Sequence, residues 1–296
     1  MILKGIRVLI SIFCLVLICF WVAFVIGPSM SVVIDVWRGN VKAYPNEHNS
    51  ISEIIVNSGG LIAHAGGGIN GLKYTNSLEA MEQSIEHGFK MIELDLLISS
   101  DGRIVAVHDW KSFHEMTNSN NTGSISYKEF ESKIIYDKCK TLNISTAIDI
   151  IDENGVVLVT DKIKNLALLS KYIIDKDKDK DKDKDKDKDK SIIEVFNTDK
   201  YNEAIELGFN NVALNIDLNT PFILEWIDLN QIKAVTYRGD NLGSLGSEYQ
   251  KAIELSNMGV SAMIYSTNDL DLDGIKASGI GNFALYVDFV LPLDEL

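Results

Sequence analysis

Short apolar runs recur along the chain from residue 51 onward, and segments with helical periodicity separate many of them. Strands are predicted at Leu61–Ala63, Met91–Ile98 with Arg103–His108, Val156–Thr160, Ile192–Phe196, Asn211–Ile216, Ile232–Thr236, Ala262–Tyr265 and Phe283–Val287. Helices are predicted at Ser77–His87, Leu166–Ile173, Lys200–Leu207 and Tyr249–Met258. Strands that alternate with helices indicate a parallel sheet, and eight such units favour an α/β fold, the closed (β/α)8 TIM barrel. An open doubly wound sheet is the alternative.

The N-terminal region carries a different pattern. Residues 8–26 form an uncharged apolar run, close to the roughly 20 residues that span a bilayer. Lys4 and Arg7 precede this run, which favours a cytoplasmic N-terminus and an exported C-terminal part. A cleaved signal peptide is the first alternative, although its apolar core is usually about 7–15 residues long. A soluble cytoplasmic barrel whose first helix packs internally is the second.

These patterns predict three regions and one insertion. We expect a cytoplasmic stub with a single-pass transmembrane helix at 1–27, a spacer at 28–50 and the barrel at 51–296. Within the barrel, residues 175–190 alternate strictly between Asp and Lys. A helix would place like charges four residues apart, and a strand would have nothing apolar to bury. The segment is therefore predicted to be a disordered insertion.

Composition narrows the range of partners. The formal net charge is −14 and the apolar fraction is 46%. Neutralising the phosphates of a nucleic acid needs basic patches, so this acidic composition argues against nucleic-acid binding. The apolar fraction is enough for a large core. The three cysteines, of which Cys14 and Cys19 lie in the apolar N-terminal run, predict no disulfide framework.

Polar and mostly titratable residues lie at or just beyond the ends of the first predicted strands. His64 follows Leu61–Ala63, Glu93 and Asp95 lie within the next strand, and His108 closes its extended partner. Carboxyl ends of parallel strands meet at one rim, where chemistry is assembled in such proteins. Glu93 and Asp95 are two residues apart and share one face of the strand. Buried carboxylates need a metal or an ion-pair partner, so the pattern indicates a metal-assisted acid/base site.

The order of these motifs resembles that of a known family. The motifs are His64-Ala65-Gly66, the helix start at Tyr74–Ala80, Glu93-Leu94-Asp95, Asp101-Gly102 and Val107-His108-Asp109. Their order and approximate spacing are similar to those of the glycerophosphodiester phosphodiesterase family, within the phospholipase C-like phosphodiesterase barrels. The resemblance implies a metal-dependent hydrolase of a phosphodiester substrate. The predicted membrane attachment makes a lipid-derived or envelope phosphodiester the expected substrate.

The resemblance also implies roles for single residues. Glu93, Asp95 and Asp161 would ligate a divalent cation, and oxygen ligands of this kind suit Ca²⁺ or Mg²⁺. His64 and His108 would form the acid/base pair. Lys162 is the candidate for phosphate contact, with Lys164 a weaker one, although the family's lysine stands two residues after the ligand, where this chain has Ile163. The capping-box pattern of Asn76–Glu79 separately predicts Asn76 as the N-cap of the following helix. Asn76 and Asp109 are expected to contact the site residues rather than the substrate, with Asp109 orienting His108 or holding its loop.

Two departures from the family pattern concern the substrate. The family usually has an arginine after the first histidine, where this chain has Ala65, and its Pro-Glu-Asn-Thr segment is here Tyr74–Ser77. Arg238 is a candidate for the missing positive charge, with the backbone N–H groups of Gly66–Gly68 as another. Trp110 is expected either to wall the substrate pocket or to pack under its loop. A catalytically inactive barrel that binds a phosphorylated ligand is the alternative function.

Overall fold

Eight parallel strands close into a barrel in the computed structural model, which describes residues 50–174, 190–239, 247–266 and 282–289. In order around the barrel they are β1 (Leu61–Ala63), β2 (Met91–Ile98), β3 (Val157–Asp161), β4 (Ser191–Val195), β5 (Val212–Asn215), β6 (Ala234–Arg238), β7 (Ser261–Tyr265) and β8 (Phe283–Val287). The sheet closes because β1 pairs in parallel with both β2 and β8. The predicted closed barrel is confirmed, and the open sheet is wrong.

The helices lie between and around these strands. They are α1 (Ser50–Asn57), α2 (Leu78–Glu86), α3 (Trp110–Met116), α4 (Tyr127–Glu131), α5 (Ile144–Asn154), α6 (Leu166–Ile173), α7 (Thr198–Glu206), α8 (Ile223–Leu229) and α9 (Ser247–Asn257). The four predicted helices correspond to α2, α6, α7 and α9. The extended partner of β2 is an antiparallel strand at Ile104–Ala106, and a two-stranded ribbon joins Ile134–Ile135 to Cys139–Lys140.

The lower interior of the barrel is apolar and is closed by α1, a helix that was not predicted. Ile51 and Ile55 of α1 pack into a buried cluster formed by inward-facing strand residues, namely Ile62, Met91, Val159, Ile192, Ala213, Ala234, Met263 and Ala284. Ser50 and Ser52 hydrogen-bond to Asn211 and Asn282, which precede β5 and β8. Helix α1 therefore covers the N-terminal ends of the strands.

Polar residues replace apolar ones higher in the same barrel. Side chains of a strand face one side at every second position, so each inward-facing row continues two residues further along. The next inward positions are Glu93 and Asp95 on β2, Asp161 on β3, Glu194 on β4, Asn215 on β5, Thr236 on β6 and Tyr286 on β8. The change occurs towards the carboxyl ends of the strands, where active sites of such barrels lie.

Some predictions fall outside the described part of the chain. The apolar run at 8–26, the spacer up to residue 49 and the Asp-Lys segment at 175–189 are among them, so their predicted roles stay predictions. Lys190, the last residue of the predicted insertion, lies directly before β4, and its carbonyl accepts a hydrogen bond from the Leu158 N–H at 2.9 Å. Among the described residues, no helix is both long enough and apolar enough to cross a bilayer.

Candidate active site

Three carboxylates form a compact cluster at the carboxyl end of the barrel. Glu93, Asp95 and Asp161 each offer an oxygen within 4.8 Å of the others. Strand register produces this cluster, because Asp95 of β2 is paired directly with Asp161 of β3 and Glu93 lies one inward position below. The structure thus brings together the three residues that the family resemblance names as metal ligands.

Glu93 is the most buried member of the cluster, with 1% of its surface exposed. Its Oε2 accepts a hydrogen bond from the Ala65 N–H at 2.7 Å, while its Oε1 has no hydrogen-bond partner among the described residues. Burial, reinforced by the charges of Asp95 and Asp161, raises the pKa of Glu93 well above its ordinary value. A buried carboxylate oxygen without a partner is costly, and a cation in the cluster would remove that cost.

Asp161 shares this environment. Burial is the largest cause that raises the pKa of Asp161, to about 7, and the charges of Glu194 and Asp95 add to it. The charge and backbone N–H of Lys162 act in the opposite direction. Several carboxylates in one buried space therefore disfavour full ionisation unless a cation is present.

Lys162 connects the acidic cluster with the strand end at His108. Its Nζ lies 3.0 Å from Asp95 Oδ1 and 3.3 Å from the backbone oxygen of His108. The backbone of Lys162 is left-handed, with φ 61°, and this turn follows Asp161 directly. The predicted lysine thus enters the site although its spacing differs from the family pattern.

Two histidines face the cluster, and an aspartate holds each of them. His64 Nδ1 lies 2.9 Å from Asp288 Oδ1, and His108 Nδ1 lies 2.8 Å from Asp109 Oδ2. An ionised carboxylate only accepts hydrogen bonds, so the Nδ1 of each imidazole is the donor and its Nε2 is left for other contacts. The Tyr74 ring lies between the histidines, 4.9 Å from His64 and 5.9 Å from His108 between ring centroids.

Asp109 has two tasks, of which the orientation of His108 was expected from the sequence and the capping of a helix was not. It orients His108 and also caps α3, because its side chain accepts hydrogen bonds from the N–H and hydroxyl of Ser112. Burial alone would raise the pKa of Asp109, but the hydrogen bonds from Ser112 and His108 outweigh it and lower that pKa. The carboxylate therefore stays ionised at neutral pH.

Asn76 contacts the site but does not cap α2 as the capping pattern predicted. Ser77, not Asn76, is the N-cap of α2, since its hydroxyl accepts a hydrogen bond from the Ala80 N–H. Asn76 has a left-handed backbone, with φ 48°, and its side chain turns to Asp95. The predicted capping role is wrong because the amide is bound to a carboxylate of the cluster instead.

Glu194 and Asp288 were missed in the sequence. Glu194 is buried and accepts hydrogen bonds from Asn215 at 2.8 Å, Thr236 at 2.7 Å and Tyr286 at 3.0 Å. Burial raises the pKa of Glu194, and these hydrogen bonds oppose the rise. Glu194 lies within the apolar run Ile192–Phe196 as Glu93 lies within its own strand, so a glutamate in a buried strand was a signal that could have found it. Asp288 follows the last strand and gave no local indication.

A cavity of about 790 Å³ opens above the carboxylates. His64, Tyr74, His108, Lys162 and Lys164 line it together with the four acidic residues. Apolar side chains form another part of the described lining, namely Leu97, Ile163, Val195 and Phe196. The cavity lining therefore combines charged and apolar side chains.

Trp110 and Arg238 are not among the residues that line this described cavity. Trp110 packs against Phe113, with 5.7 Å between ring centroids, as in the packing alternative considered from the sequence. Arg238 ends β6 with an exposed side chain. The glycine N–H groups are also not all available, because the Gly67 N–H donates to the His64 carbonyl at 2.7 Å.

The cluster fits a divalent cation. Its donors are all carboxylate oxygens, the ligands that Ca²⁺ and Mg²⁺ prefer, and the partnerless Glu93 Oε1 belongs to it. Lys162 pairs with Asp95 and also favours the ionised form of Asp161, but one positive side chain does not balance three clustered carboxylates. Glu93, Asp95 and Asp161 are therefore the residues that would hold the ion.

Comparison with known families identifies the class of protein. The model of the glycerophosphoryl diester phosphodiesterase family matches residues 64–220, just over half of the 296-residue chain. The match begins at His64 and contains both histidines and the three clustered carboxylates. The protein is thus of the phosphoric diester hydrolase class. It belongs to the glycerophosphoryl diester phosphodiesterase family, as its motifs predicted.

Solved structures of low sequence identity share the barrel fold of this chain. A glycerophosphoryl diester phosphodiesterase from Parabacteroides distasonis shares the fold with a TM-score of 0.61 and 18% identity, over 85% of this chain and 91% of that one. An Oleispira antarctica phosphodiesterase, solved with its product sn-glycerol-3-phosphate, has a TM-score of 0.59 and 16% identity, over 80% and 95% of the two chains. The uncharacterized Bacillus subtilis protein YqiK is 36% identical over 89 residues, 30% of this chain and 32% of that protein.

Proposed function

We propose that this barrel hydrolyses a lipid-derived glycerophosphodiester with the help of a divalent cation. The observation that carries the proposal is the buried carboxylate cluster, with its partnerless Glu93 Oε1, on the floor of a cavity that both histidines line. Membership of the family supports the reaction class. Bound to the cluster, the cation would polarise a phosphoryl oxygen and offset the charge that develops during phosphoryl transfer.

The protein's own residues supply the proton transfers. Each aspartate holds Nδ1 of its histidine, so that Nε2 of His64 and His108 can exchange a proton with the substrate. One imidazole accepts the proton of the attacking hydroxyl or water, and the other donates a proton to the leaving alkoxide. Lys162 supplies positive charge beside Asp95 and would contact a phosphate oxygen.

The cavity wall supports the choice of a lipid-derived substrate. Leu97 and the exposed Phe196 line the described cavity, together with Ile163 and Val195, whose side chains are mostly buried in the core. Polar residues such as Asn197 and Lys200 also line the cavity, but an exposed apolar side chain such as Phe196 gains free energy when a hydrocarbon chain covers it. The phosphodiester would bind at the floor and the apolar part of the substrate along this wall.

A turnover assay with variants tests the proposal. The purified full-length protein is incubated with glycerophosphocholine, a lysophosphatidylcholine and bis(p-nitrophenyl) phosphate, with Ca²⁺, Mg²⁺ or chelator. We expect metal-dependent release of a phosphomonoester, lost in His64→Ala and His108→Ala and kept in His87→Ala. His87 caps the C-terminus of α2 and does not line the cavity. Metal binding measured by calorimetry without turnover of any substrate would overturn the proposal and favour a barrel that only binds phosphorylated ligands.

A further inference from the structure

We propose that Asp288 is a positioning residue that fixes the His64 imidazole in one tautomer, and that Lys73 and Gly68 hold Asp288 for this purpose. The inference rests on the proposed function, in which His64 transfers a proton through Nε2. It concerns a residue beyond the stretch that the family model matches, which ends at residue 220.

Barrel closure brings Asp288 to His64. Strand β8 pairs in parallel with β1, and Val287 is registered with Ala63. The next residue of each strand is therefore Asp288 on one side and His64 on the other. Although 224 positions separate them in the chain, Asp288 Oδ1 lies 2.9 Å from His64 Nδ1.

The second oxygen of Asp288 is also bound. Lys73 Nζ lies 2.9 Å from Asp288 Oδ2, and the same ammonium group lies 5.2 Å from the centroid of the Phe289 ring. Burial would raise the pKa of Asp288, but the hydrogen bonds and charges of His64 and Lys73 outweigh it and lower that pKa. The carboxylate is thus ionised and held at both oxygens.

Gly68 allows this arrangement to form. A Cβ atom at Gly68 would lie 2.1 Å from the Asp288 carbonyl oxygen and 2.5 Å from Cδ1 of Phe289. Neither distance is possible in a folded protein, so no side chain fits between this loop and the end of β8. The last glycine of the His64–Gly68 motif therefore lets the segment that leads to Lys73 lie directly against Asp288.

The result is a defined tautomer. Because ionised Asp288 accepts the proton of Nδ1–H, the neutral His64 ring must keep its Nε2 unprotonated. Asp109 does the same for His108, but that aspartate is the neighbouring residue in the chain. The orientation of His64 depends instead on closure of the barrel and on the contact at Gly68.

The substitution Asp288→Asn tests the inference, and Lys73 determines which way the new amide group turns. Lysine can only donate hydrogen bonds, so the introduced amide would turn its oxygen to Lys73 and its NH₂ to His64 Nδ1. Nδ1 would then have to accept, which forces the proton onto Nε2. A serine protease in which the equivalent aspartate was changed to asparagine lost about 10⁴-fold in kcat through such a tautomer change. We expect a loss of at least about 100-fold here.

The measurements separate positioning from folding. Imidazole ¹⁵N shifts of the full-length protein, assigned to His64 with His64→Ala, should show Nδ1–H in the wild type and Nε2–H in Asp288→Asn. The variant should lower kcat with little change in KM or in Ca²⁺ affinity. Adding Lys73→Met frees the amide to turn and should restore part of the Nδ1–H tautomer. Asp152→Asn, which removes the carboxylate that pairs with Lys190 far from the cavity, is the matched control and should change neither readout.

Two results would overturn the inference. One is an unchanged His64 tautomer in Asp288→Asn, and the other is a changed tautomer with an unchanged kcat. Gly68→Ala provides a second route, because displacing residues 288–289 should weaken the Nδ1–H signal in the same direction. Since the ¹⁵N shifts need no substrate, they test the role of Asp288 even if the wild-type protein turns over none of the phosphodiesters, which would defeat the proposed function separately.

Discussion

Asn76 and Asp95 are joined by two reciprocal hydrogen bonds. Asn76 Nδ2 donates to Asp95 Oδ2 at 2.8 Å, and the Asp95 backbone N–H donates to Asn76 Oδ1 at 2.9 Å. The loop before α2 thereby fixes a carboxylate of the cluster on β2. Because Lys162 occupies Asp95 Oδ1, each oxygen of this carboxylate has a defined neighbour before any ion binds.

We expect Asn76→Gly to weaken metal binding about 10- to 100-fold, the range typical for groups that orient a metal ligand. Glycine is the informative replacement, since it accepts the left-handed backbone of Asn76 without added strain. Calcium titration calorimetry measures the effect. Ser77→Ala is the control, because it removes the helix cap at a cost of about 1 kcal/mol and leaves the Asp95 contacts in place. Equal loss of affinity in both variants would contradict a specific role for Asn76.

Glu93→Gln should have opposite effects on the metal-free and metal-loaded protein. Removing one of several buried like charges should raise the Tm of the metal-free protein at pH 8. The rise in Tm on adding Ca²⁺ or Mg²⁺ should disappear, and turnover should fall at least about 100-fold. Thermal unfolding with and without chelator measures both. Glu129→Gln, at an exposed glutamate that pairs with Lys133, should behave as the wild type.

The stability of the metal-free protein should fall as the pH rises from about 4 to about 7. The pKa of Asp161 is raised from 3.8 to about 7 in the folded state. In this window the folded state holds a proton that the unfolded state has lost, so raising the pH favours unfolding. The lowered pKa values of Asp109 and Asp288 act below pH 4, where loss of their charge destabilises the fold.

Denaturant unfolding across this pH range tests the expectation, with Asp161→Asn as the comparison. That variant should show a flatter dependence on pH, because it cannot bind the proton. Metal binding must displace the same proton, so calorimetry in buffers of different ionisation enthalpy should detect proton release near pH 7. A stability that rises between pH 4 and 7, with an equal slope in the variant, would show that Asp161 titrates at its ordinary pKa.

Ala65→Arg should not restore the family's arginine to a working position. Ala65 is fully buried with a left-handed φ of 49°, and its N–H donates to Glu93. A larger side chain would overpack this turn, at a cost of about 1–3 kcal/mol. We expect a lower Tm and no gain in kcat/KM, while Ala65→Gly should stay within about 1 kcal/mol of the wild type. A gain in kcat/KM would mean that the turn can open to expose the new side chain.

Phe196→Ser should discriminate between substrates. Phe196 lines the cavity yet is 53% exposed, so a hydrocarbon chain bound there would cover it. Losing about 1 kcal/mol of apolar contact should raise KM roughly fivefold for a lysophosphatidylcholine and leave KM for glycerophosphocholine unchanged. Phe222→Ser removes an aromatic ring that is also largely exposed but does not line the cavity, and should alter neither value. Equal changes for both substrates would argue against a lipid-derived substrate.

Local patterns were enough to predict much of the fold and of the site. Alternation of apolar runs and helices predicted the eight strands of the barrel. The spacing of Glu93 and Asp95 predicted a shared face, because the two-residue repeat of a strand is a local property. Asp161 and Lys162 required the family resemblance, since their distance from Asp95 depends on which strands become neighbours.

The parts that were missed depend on contacts between distant segments. Asp288 reaches His64 only because β8 closes against β1, and nothing near residue 288 indicates that partner. Ser77 caps α2 in place of Asn76 because the Asn76 side chain is bound to Asp95. Asp95 lies outside the local capping pattern, so the pattern could not predict this. Helix α1 had a readable apolar periodicity at Ile51, Ile54 and Ile55, but its place beneath the barrel is a tertiary property.

The position of α1 determines which end of the barrel would face a segment attached before residue 50. Residue 50 enters at the closed end of the barrel, and the catalytic opening is at the opposite end. Any upstream membrane attachment would therefore connect to the N-terminal end of the barrel, and the cavity opening would face away from the point of attachment. A spacer of the length of residues 28–49 would reach at most about 80 Å when fully extended. Its length would limit the distance between the cavity opening and a membrane, and would decide whether the barrel can rotate so that the opening faces that membrane.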